Sequence, residues 1–444
     1  MTLIIVISVF LLIPVIIFSL RVDIFHPVSF FCSYMIVGVY VRSWVLNNPE
    51  SKFGGTFWET VEWQLESHLN SSLMLLSVTI AFSLLLYMAP RRRARSNGFF
   101  GGVFGVDSAL ISPRKLLFIS AFLLISYLFL LAKSLGGLAV AISILQKRSL
   151  VFDSEVFYIK IINIYFCVSV LLLYYCKRKN SVSFTRLMGL GAVLLIVLSL
   201  IILFLVGGRG AFLTQLLSLL YIYHATSSRK SSSAFFLSVL ILVSMLGTIV
   251  VGLGVRESAQ KDIPFGEAVG NSSKQLTEVI TGTFPIIDLF TSAKYFADQV
   301  GHDNGQQFVN YLTRVIPRSI WPEKPLILGL QIRKYYSGHT LSGVPPTIFG
   351  EFYIAFGEIG LILCAVVLAG ILRFLSSLHG AVKLNDGLSL IYITFLVQLI
   401  FSTFRAGLEI SIFTIAYYIS GIIFIKFFSS SFFVKERKLS RSPF

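Results

Sequence analysis

Charged side chains are scarce in this sequence of 444 residues. Only 13% of its residues are Asp, Glu, Lys or Arg, against about 25% in an average soluble protein. Hydrophobic residues make up 55% of the chain. Several apolar stretches have the length of about 20 residues that an α-helix needs to cross a bilayer. The composition therefore excludes an ordinary soluble domain and predicts an all-α polytopic membrane protein.

The sequence signatures of metal and nucleotide chemistry are also missing. No Asp-x-Asp or His/Asp cluster indicates a catalytic metal, and no glycine-rich P-loop indicates nucleotide hydrolysis. No Ser-His-Asp spacing stands out. The four cysteines lie inside apolar stretches and form no disulfide or metal-ligand pattern. We therefore expect neither a metal nor another cofactor.

The apolar stretches predict about eleven transmembrane helices. The first stretch lacks the basic segment and the cleavage site of a signal peptide, so we interpret it as a retained span. A shorter apolar segment at 135–146 predicts an interfacial or re-entrant helix. The predicted spans are 3–20, 27–46, 69–89, 115–132, 158–176, 187–206, 210–226, 234–255, 347–372, 388–404 and 409–428.

These spans divide the chain into four regions. They are an N-terminal bundle of about eight spans (1–255), one long loop (256–346), about three C-terminal spans (347–428) and a basic tail (429–444). Glycine and proline interrupt the loop and separate predicted helices at 265–281 and 286–300. The loop is too small to build a large core alone, so we expect it to pack on the ends of the transmembrane helices.

Basic clusters predict the orientation of the chain. If the spans alternate, the clusters at 91–95, 177–179, 229–230 and 435–438 fall on one side, which the positive-inside rule assigns to the cytoplasm. The N-terminus and the long loop then lie outside, and the C-terminus lies inside. That cytoplasmic side carries 20 of the 37 basic residues but only 4 of the 21 acidic ones. The net charge of +16 therefore comes from the basic residues that set the orientation in the membrane. We expect no nucleic-acid partner.

Three arginines lie at the predicted outer ends of spans, namely Arg209, Arg256 and Arg405. A single arginine at such a position is most often an interfacial anchor. Three of them in one leaflet, on the side where basic residues are disfavoured, favour a shared anion site. Arginine binds phosphate in bidentate geometry. The flanking glycines of Arg209, in Gly-Gly-Arg-Gly, let the backbone approach a ligand closely.

A proline-rich strip in the long loop carries further candidate ligands. Arg314, Arg318, Trp321 and Lys324 lie along it, and Arg333 follows. Prolines exclude a long helix here, arginines bind phosphates or acidic sugars, and an aromatic face can stack on a sugar ring. The alternative is a structural loop in which Trp321 only marks the membrane surface.

A carboxylate marks the predicted outer end of the span after the loop. Glu351 and Glu358 are seven residues apart, a spacing that predicts a common helix face. Carboxylates at such a depth are costly to bury and are usually functional or paired. We predict Glu351 as the first candidate for a general base, and a structural pair with an arginine is the alternative. His339 is the second candidate, although a lone loop histidine is more often merely exposed.

Four segments carry a resemblance to a known family. They are Asp-Ile-Phe-His-Pro (23–27), Gly-Gly-Arg-Gly (207–210), Ile-Pro-Arg-Ser-Ile-Trp-Pro-Glu-Lys-Pro (316–325) and Gly-Glu-Phe-Tyr-Ile-Ala-Phe-Gly-Glu-Ile-Gly (350–360). In their order, and with a long outer loop late in the chain, the sequence resembles the Wzy-type polymerases of O-antigen and capsule repeat units. The strip at 316–325 is the most specific of the four.

The resemblance implies a glycosyltransferase at the periplasmic face of the bacterial inner membrane, in lipopolysaccharide or polysaccharide biosynthesis. Its fold would be similar to the metal-independent glycosyltransferase-C group. Such an enzyme transfers a glycan en bloc from undecaprenyl diphosphate to another lipid-linked repeat unit, with membrane lipid around both. A regulator of chain length is a further candidate partner. The arginines would stabilise the diphosphate, and Glu351 or His339 would deprotonate the attacking sugar hydroxyl.

Two other functions fit parts of the same pattern. An O-antigen ligase would move the glycan to a different acceptor, and the sequence separates a ligase from a polymerase only weakly. A flippase or exporter of lipid-linked glycans would perform no chemistry and would carry ionisable residues deep in its helices. Here the charged residues cluster at span ends and in one loop, which favours an enzyme that acts on one side of the membrane.

Overall fold

The computed structural model of the chain describes the ranges 25–46, 62–89, 111–135, 156–179, 185–205, 209–226, 285–313, 323–338, 343–384 and 386–429, with a few isolated positions elsewhere. Within this part of the chain nearly every residue is helical and no β-strand is formed. Several of the helices are long and apolar enough to cross a membrane. The prediction of an all-α polytopic membrane protein is confirmed at this level.

The α-helices are numbered here in chain order. They are α1 (Pro27–Met35), α2 (Arg42–Leu46), α3 (Glu62–Met88), α4 (Pro113–Leu135), α5 (Val156–Lys179), α6 (Arg186–Leu205), α7 (Arg209–Thr226), α8 (Ile286–Val300), α9 (Gln306–Leu312), α10 (Leu328–Ser337), α11 (Thr347–Leu384), α12 (Ser389–Leu396), α13 (Thr403–Ala406) and α14 (Leu408–Ser429). Short π-helices, Ile36–Val41 and Val397–Ser402, join α1 to α2 and α12 to α13.

Eight candidate membrane spans lie in the described part of the chain, and each matches a predicted span. They are Pro27–Leu46, His68–Met88, Pro113–Lys133, Ile161–Lys179, Arg186–Leu203, Thr347–Val382, Ser389–Ala406 and Leu408–Ser429. The predicted span 210–226 forms α7, which is less apolar than these eight. The spans predicted at 234–255 and, except for a few positions, 3–20 lie outside the described residues, as does almost all of segment 135–146.

Exposed apolar stripes show which helix faces meet lipid. Along α3 and α4, large apolar side chains recur every three or four residues and stay exposed: Met74, Val78, Phe82 and Leu85, then Phe118, Phe122, Ile125 and Phe129. This spacing places each set on one face of its helix. A large exposed apolar face is unfavourable in water but suits the hydrocarbon core of a bilayer.

The chain divides into two compact units. The first comprises residues 1–94, 266–379 and 395–413, and the second comprises 95–265, 380–394 and 414–444. In the second unit α5 packs against α4, α6 and α7. Polar contacts add to this packing: the Gln215 amide donates to the Cys167 carbonyl at 3.3 Å, and the Tyr165 hydroxyl to Ser420 at 3.0 Å.

The first unit is built around α8, which is the loop helix predicted at 286–300. Pro285 precedes it, and Gly301 ends it with a φ of 97°, a conformation that favours glycine. Most of α8 is buried against α3 and the start of α11. Gly350 permits this packing, because a Cβ there would lie 2.6 Å from the Cβ of Ala293. This segment therefore packs on helices that are long and apolar enough to cross a membrane.

A buried ion pair joins α2 to α8. The Arg42 guanidinium donates to both carboxylate oxygens of Asp288, at 2.8 to 3.2 Å. The two side chains are only 2% and 1% exposed. Bidentate geometry makes such a pair strong, whereas either charge would be very costly to bury alone. The pair therefore fixes the loop helix to the span Pro27–Leu46.

Helix α11 is broken near its start. Gly357 has a φ of 62° and a ψ of −139°, so residues 347–356 form a short helix before the long remainder. The break leaves carbonyl groups without their usual partners, and the loop supplies donors: the Asp303 amide bonds the Ile354 carbonyl at 3.0 Å, and the Gln307 side chain bonds the Glu351 carbonyl. The expected common face of Glu351 and Glu358 is wrong, because the break separates a buried Glu351 from an exposed Glu358.

Candidate functional site

The candidate site is centred on the first turn of α14. The Glu351 carboxylate accepts the Leu408 amide at 2.7 Å and the Glu409 amide at 3.5 Å. The first amides of a helix have no partner within the helix and carry its positive dipole end. A buried carboxylate satisfies both needs. Glu351 therefore caps the last helix, and these hydrogen bonds give its side chain partners at 1% exposure.

Gly407 makes this cap possible. Its φ of 92° and ψ of 171° lie in a region that is essentially restricted to glycine. A Cβ on Gly407 would overlap the Glu351 carboxylate. The residue thus ends α13, turns the chain into α14 and leaves space for the carboxylate. We call Glu351, Gly407, Leu408 and Glu409 the acid cap.

Helix α9 brings polar groups to the acid cap. The Asp303 carboxylate accepts the amides of Gly305 and Gln307 at 3.0 and 3.1 Å and starts this helix. Gln307 then bonds the Glu351 carbonyl. Burial raises the pKa of the Tyr311 hydroxyl, and the negative charges of Glu351 and Glu409 raise it further. Tyr311 therefore stays a neutral hydroxyl beside two carboxylates.

A small cavity of about 20 Å³ opens beside the acid cap, and we call it the notch. It is lined by Gln307, Asn310, Tyr311, residues 324–328, Gln331 and Glu409. A water or a hydroxyl group needs roughly 10–15 Å³ measured in this way. The notch is therefore large enough for one such group, next to the buried Glu409 carboxylate and to Lys324.

An open groove adjoins the notch, and we call it the aromatic groove. Its volume is about 560 Å³, and it is lined by Phe296, Val300, Leu326, Gln331, Lys334 and Tyr335. Two of these residues, Leu326 and Gln331, also line the notch. The Phe296 and Tyr335 rings meet edge to face at 5.4 Å.

Arg405 lies two residues before Gly407 and is half-buried. Among the described residues its guanidinium has no hydrogen bond or ion pair, although its charge acts on the nearby Tyr34. A half-buried guanidinium that lacks an anion within the described residues is suited to an anionic ligand. Of the three arginines that are predicted at the outer ends of spans, Arg405 is the one whose side chain the structure describes.

The other predicted site residues lie at different positions relative to the notch and the acid cap. Lys324 lines the notch. Trp321 begins the turn that leads to Lys324 and is 37% exposed. Arg333 lies half-buried on α10, and burial lowers its pKa. Of the predicted residues, the structure thus brings Lys324 and Glu351 to the same cluster, and no described contact brings Trp321 or Arg333 to Glu351.

Several predicted site residues lie outside the described residues. These are Arg256, Arg314, Arg318 and His339, together with the side chain of Arg209, whose backbone begins α7. The shared site of Arg209, Arg256 and Arg405 therefore stays a prediction. Among the residues that the structure describes, no three His, Cys, Asp or Glu side chains are grouped to hold a metal ion.

Glu409, Gln307 and Tyr311 are not among the residues that the sequence predicts for the site. Glu409 had a usable signal, because an acidic residue at the start of an apolar span is usually functional or paired. Gln307 and Tyr311 had no such signal in the sequence, because their spacing of four residues indicates only a common helix face. The break at Gly357 decides their position, since it exposes carbonyl groups to which α9 binds.

Comparison of the chain with known protein families, with curated proteins and with solved structures finds no match.

Proposed function

We propose that the chain is a membrane glycosyltransferase of the Wzy type. It polymerises lipid-linked oligosaccharide repeat units at the periplasmic face of the inner membrane. The donor glycan leaves undecaprenyl diphosphate, and a hydroxyl of a second lipid-linked repeat unit attacks its anomeric carbon. The leaving diphosphate gains charge, which arginine stabilises. A buried carboxylate, Glu351 or Glu409, accepts the hydroxyl proton. His339 remains an alternative base outside the described residues.

One observation carries this proposal. The half-buried Arg405, which has no ion pair among the described residues, lies four residues before the buried Glu409, whose backbone amide bonds the buried Glu351 carboxylate. An arginine for a leaving diphosphate and a carboxylate for the attacking hydroxyl are the two groups that glycosyl transfer needs. They occur together at one end of neighbouring spans, next to a cavity of hydroxyl size.

Contacts in the first unit support the alternation of spans on which the periplasmic site rests. Each contact joins residues that the alternation assigns to the same membrane side. The pairs at predicted outer ends are Arg42–Asp288 and His68–Tyr295, and the pairs at predicted inner ends are Asp23–His379 and Tyr87–Ser376. The acid cap falls at the outer ends, with the long loop.

A deletion strain tests the proposed reaction and separates the alternatives. Without the polymerase we expect single repeat units, and no long polymer, on the final glycan acceptor. Loss of every glycan from that acceptor would instead indicate a ligase. Arrest of the repeat units on the cytoplasmic side would indicate a flippase. Full-length polymer at the surface of the deletion strain would reject all three.

Arginine geometry gives a second test. Replacing Arg405 with lysine keeps the positive charge but removes the bidentate fork. Since each charge-assisted hydrogen bond contributes roughly 1.5–3 kcal/mol, we expect the extension rate to fall about tenfold to a hundredfold at unchanged protein level. A snorkelling anchor would tolerate the lysine. The measurement is glycan length in a complemented deletion strain, with Lys426→Arg as the charge-conserving control at the other end of α14.

A further inference from the structure

We propose that the aromatic groove and the notch together bind the acceptor saccharide, and that Glu409 is the base that deprotonates its attacking hydroxyl. This inference rests on the proposed function and deepens it, because it assigns the acceptor site and one of the two candidate carboxylates. The groove would hold the sugar rings, and the notch would hold the one hydroxyl that reacts.

The first support is the division of roles between the two carboxylates. Both oxygens of Glu351 accept backbone amides from the first turn of α14. Glu351 is held on the first turn of α14 and does not line the notch, so Glu351 is a positioning residue. Glu409 lines the notch, and its own backbone amide is held by Glu351. The cap thus fixes the backbone of Glu409 beside the cavity.

The second support is an unsatisfied acceptor in the wall of the notch. Gln307 is only 4% exposed. Its amide nitrogen bonds the Glu351 carbonyl, while its amide oxygen has no hydrogen-bond partner among the described residues. A buried acceptor without a partner is unfavourable. A ligand hydroxyl that reaches this oxygen from the notch would supply the missing donor, so this residue favours a hydroxylated ligand.

The third support is the chemistry of the groove. The rings of Phe296 and Tyr335 offer aromatic surface to the C–H faces of sugar rings, and Gln331 and Lys334 offer hydrogen-bond donors to hydroxyl groups. The groove is much larger than the notch, and both contain Gln331. A saccharide can therefore lie in the groove and extend one hydroxyl into the notch.

These groups account for every bond that forms or breaks in the proposed step and for the transferred proton. Glu409 takes the proton of the acceptor hydroxyl while the oxygen of that hydroxyl bonds to the anomeric carbon of the donor. The bond from that carbon to the diphosphate oxygen breaks, and the electron pair leaves with undecaprenyl diphosphate. The Tyr311 hydroxyl remains protonated and interacts with the Glu351 carboxylate.

The test uses the purified full-length protein and two probes. Lipid-linked repeat units extracted from a deletion strain serve as the donor. The repeat-unit oligosaccharide, released from the same extract by mild acid, serves as a soluble acceptor. Binding of this oligosaccharide is measured by calorimetry, and its extension is measured as a function of acceptor concentration and pH. Thermal unfolding shows that each variant is folded.

Two variants and two controls separate binding from chemistry. For Glu409→Gln we expect kcat to fall about 10²- to 10⁴-fold, with an unchanged acceptor KM and without the acidic limb of the pH profile. For Tyr335→Ser we expect the acceptor KM and Kd to rise roughly threefold to tenfold, with kcat unchanged. The controls are Glu358→Gln, which removes an exposed carboxylate, and Leu312→Ala, which truncates an exposed side chain outside both cavities. Both controls should behave as wild type.

The outcomes distinguish this inference from the proposed function. If wild-type protein binds the oligosaccharide and Tyr335→Ser binds it more weakly, but nothing is extended, the saccharide site stands and the polymerase proposal fails. If wild-type protein extends the acceptor and both variants match the controls, the polymerase stands and this inference is wrong. A folded Glu409→Gln variant that keeps the acidic limb of its pH profile would exclude Glu409 as the base.

Discussion

Replacing Gly407 by alanine is expected to reduce glycan extension about a hundredfold or more while the protein still inserts into the membrane. The glycine-only conformation of this residue costs another residue about 1–3 kcal/mol. The new methyl group would also overlap the Glu351 carboxylate and displace it from the first turn of α14. A shift of 1 Å in a catalytic group can cost about 10² in rate. The measurement is extension by purified protein at equal concentration.

Gly370→Ala is the matched control for this substitution. Gly370 lies in the regular part of α11, and a Cβ there would meet no atom within 4 Å. Alanine is favoured over glycine in a helix by up to about 1 kcal/mol, so this variant should keep full activity and at least wild-type stability. If Gly407→Ala extended glycans as well as Gly370→Ala does, the acid cap would not be part of the active site.

Replacing Asp288 by alanine is expected to give the largest loss of stability. The substitution leaves Arg42 charged and almost fully buried, without its bidentate partner. Loss of one partner of a buried pair costs about 3–5 kcal/mol. We therefore expect a lower midpoint of thermal unfolding in detergent and less protein in the membrane, because α8 would lose its attachment to α2.

A double substitution identifies the cause of that loss. Replacing the pair by apolar side chains, Arg42→Met with Asp288→Leu, removes both charges and should give a more stable protein than Asp288→Ala alone. Glu358→Gln, which removes an exposed carboxylate, should leave the midpoint unchanged. If Asp288→Ala unfolded at the wild-type temperature, the buried pair would not hold the loop helix.

The sequence predicts the membrane helices well because apolar length is a local property. Eight predicted spans have counterparts among the described helices, and the loop helix at 286–300 is predicted with the observed bounds. Glycine and proline at its ends carry this signal. The break in α11 is harder to predict, because a single glycine in an apolar span usually continues the helix. Donors from Asp303 and Gln307, which are distant in sequence, bond the carbonyl groups that precede the break.

The candidate site is predicted in part. Glu351 and Lys324 have local signals, namely a carboxylate at a span end and a cation in a rigid strip, and the structure places both in the cluster. The capping role of Glu351 depends on Gly407, which is 56 residues further along the chain. Glu409, Gln307 and Tyr311 acquire their positions from the same long-range packing. No local pattern in the sequence contains that information.

The most direct test of the central claim is extension by purified protein in detergent. Lipid-linked repeat units from a deletion strain are the only substrate, and the products are separated by length. The proposal predicts a ladder of longer glycans on the same lipid, with release of undecaprenyl diphosphate for each added unit. Repeat units that remain single after incubation with folded wild-type protein would contradict the proposal that this chain is a glycan polymerase.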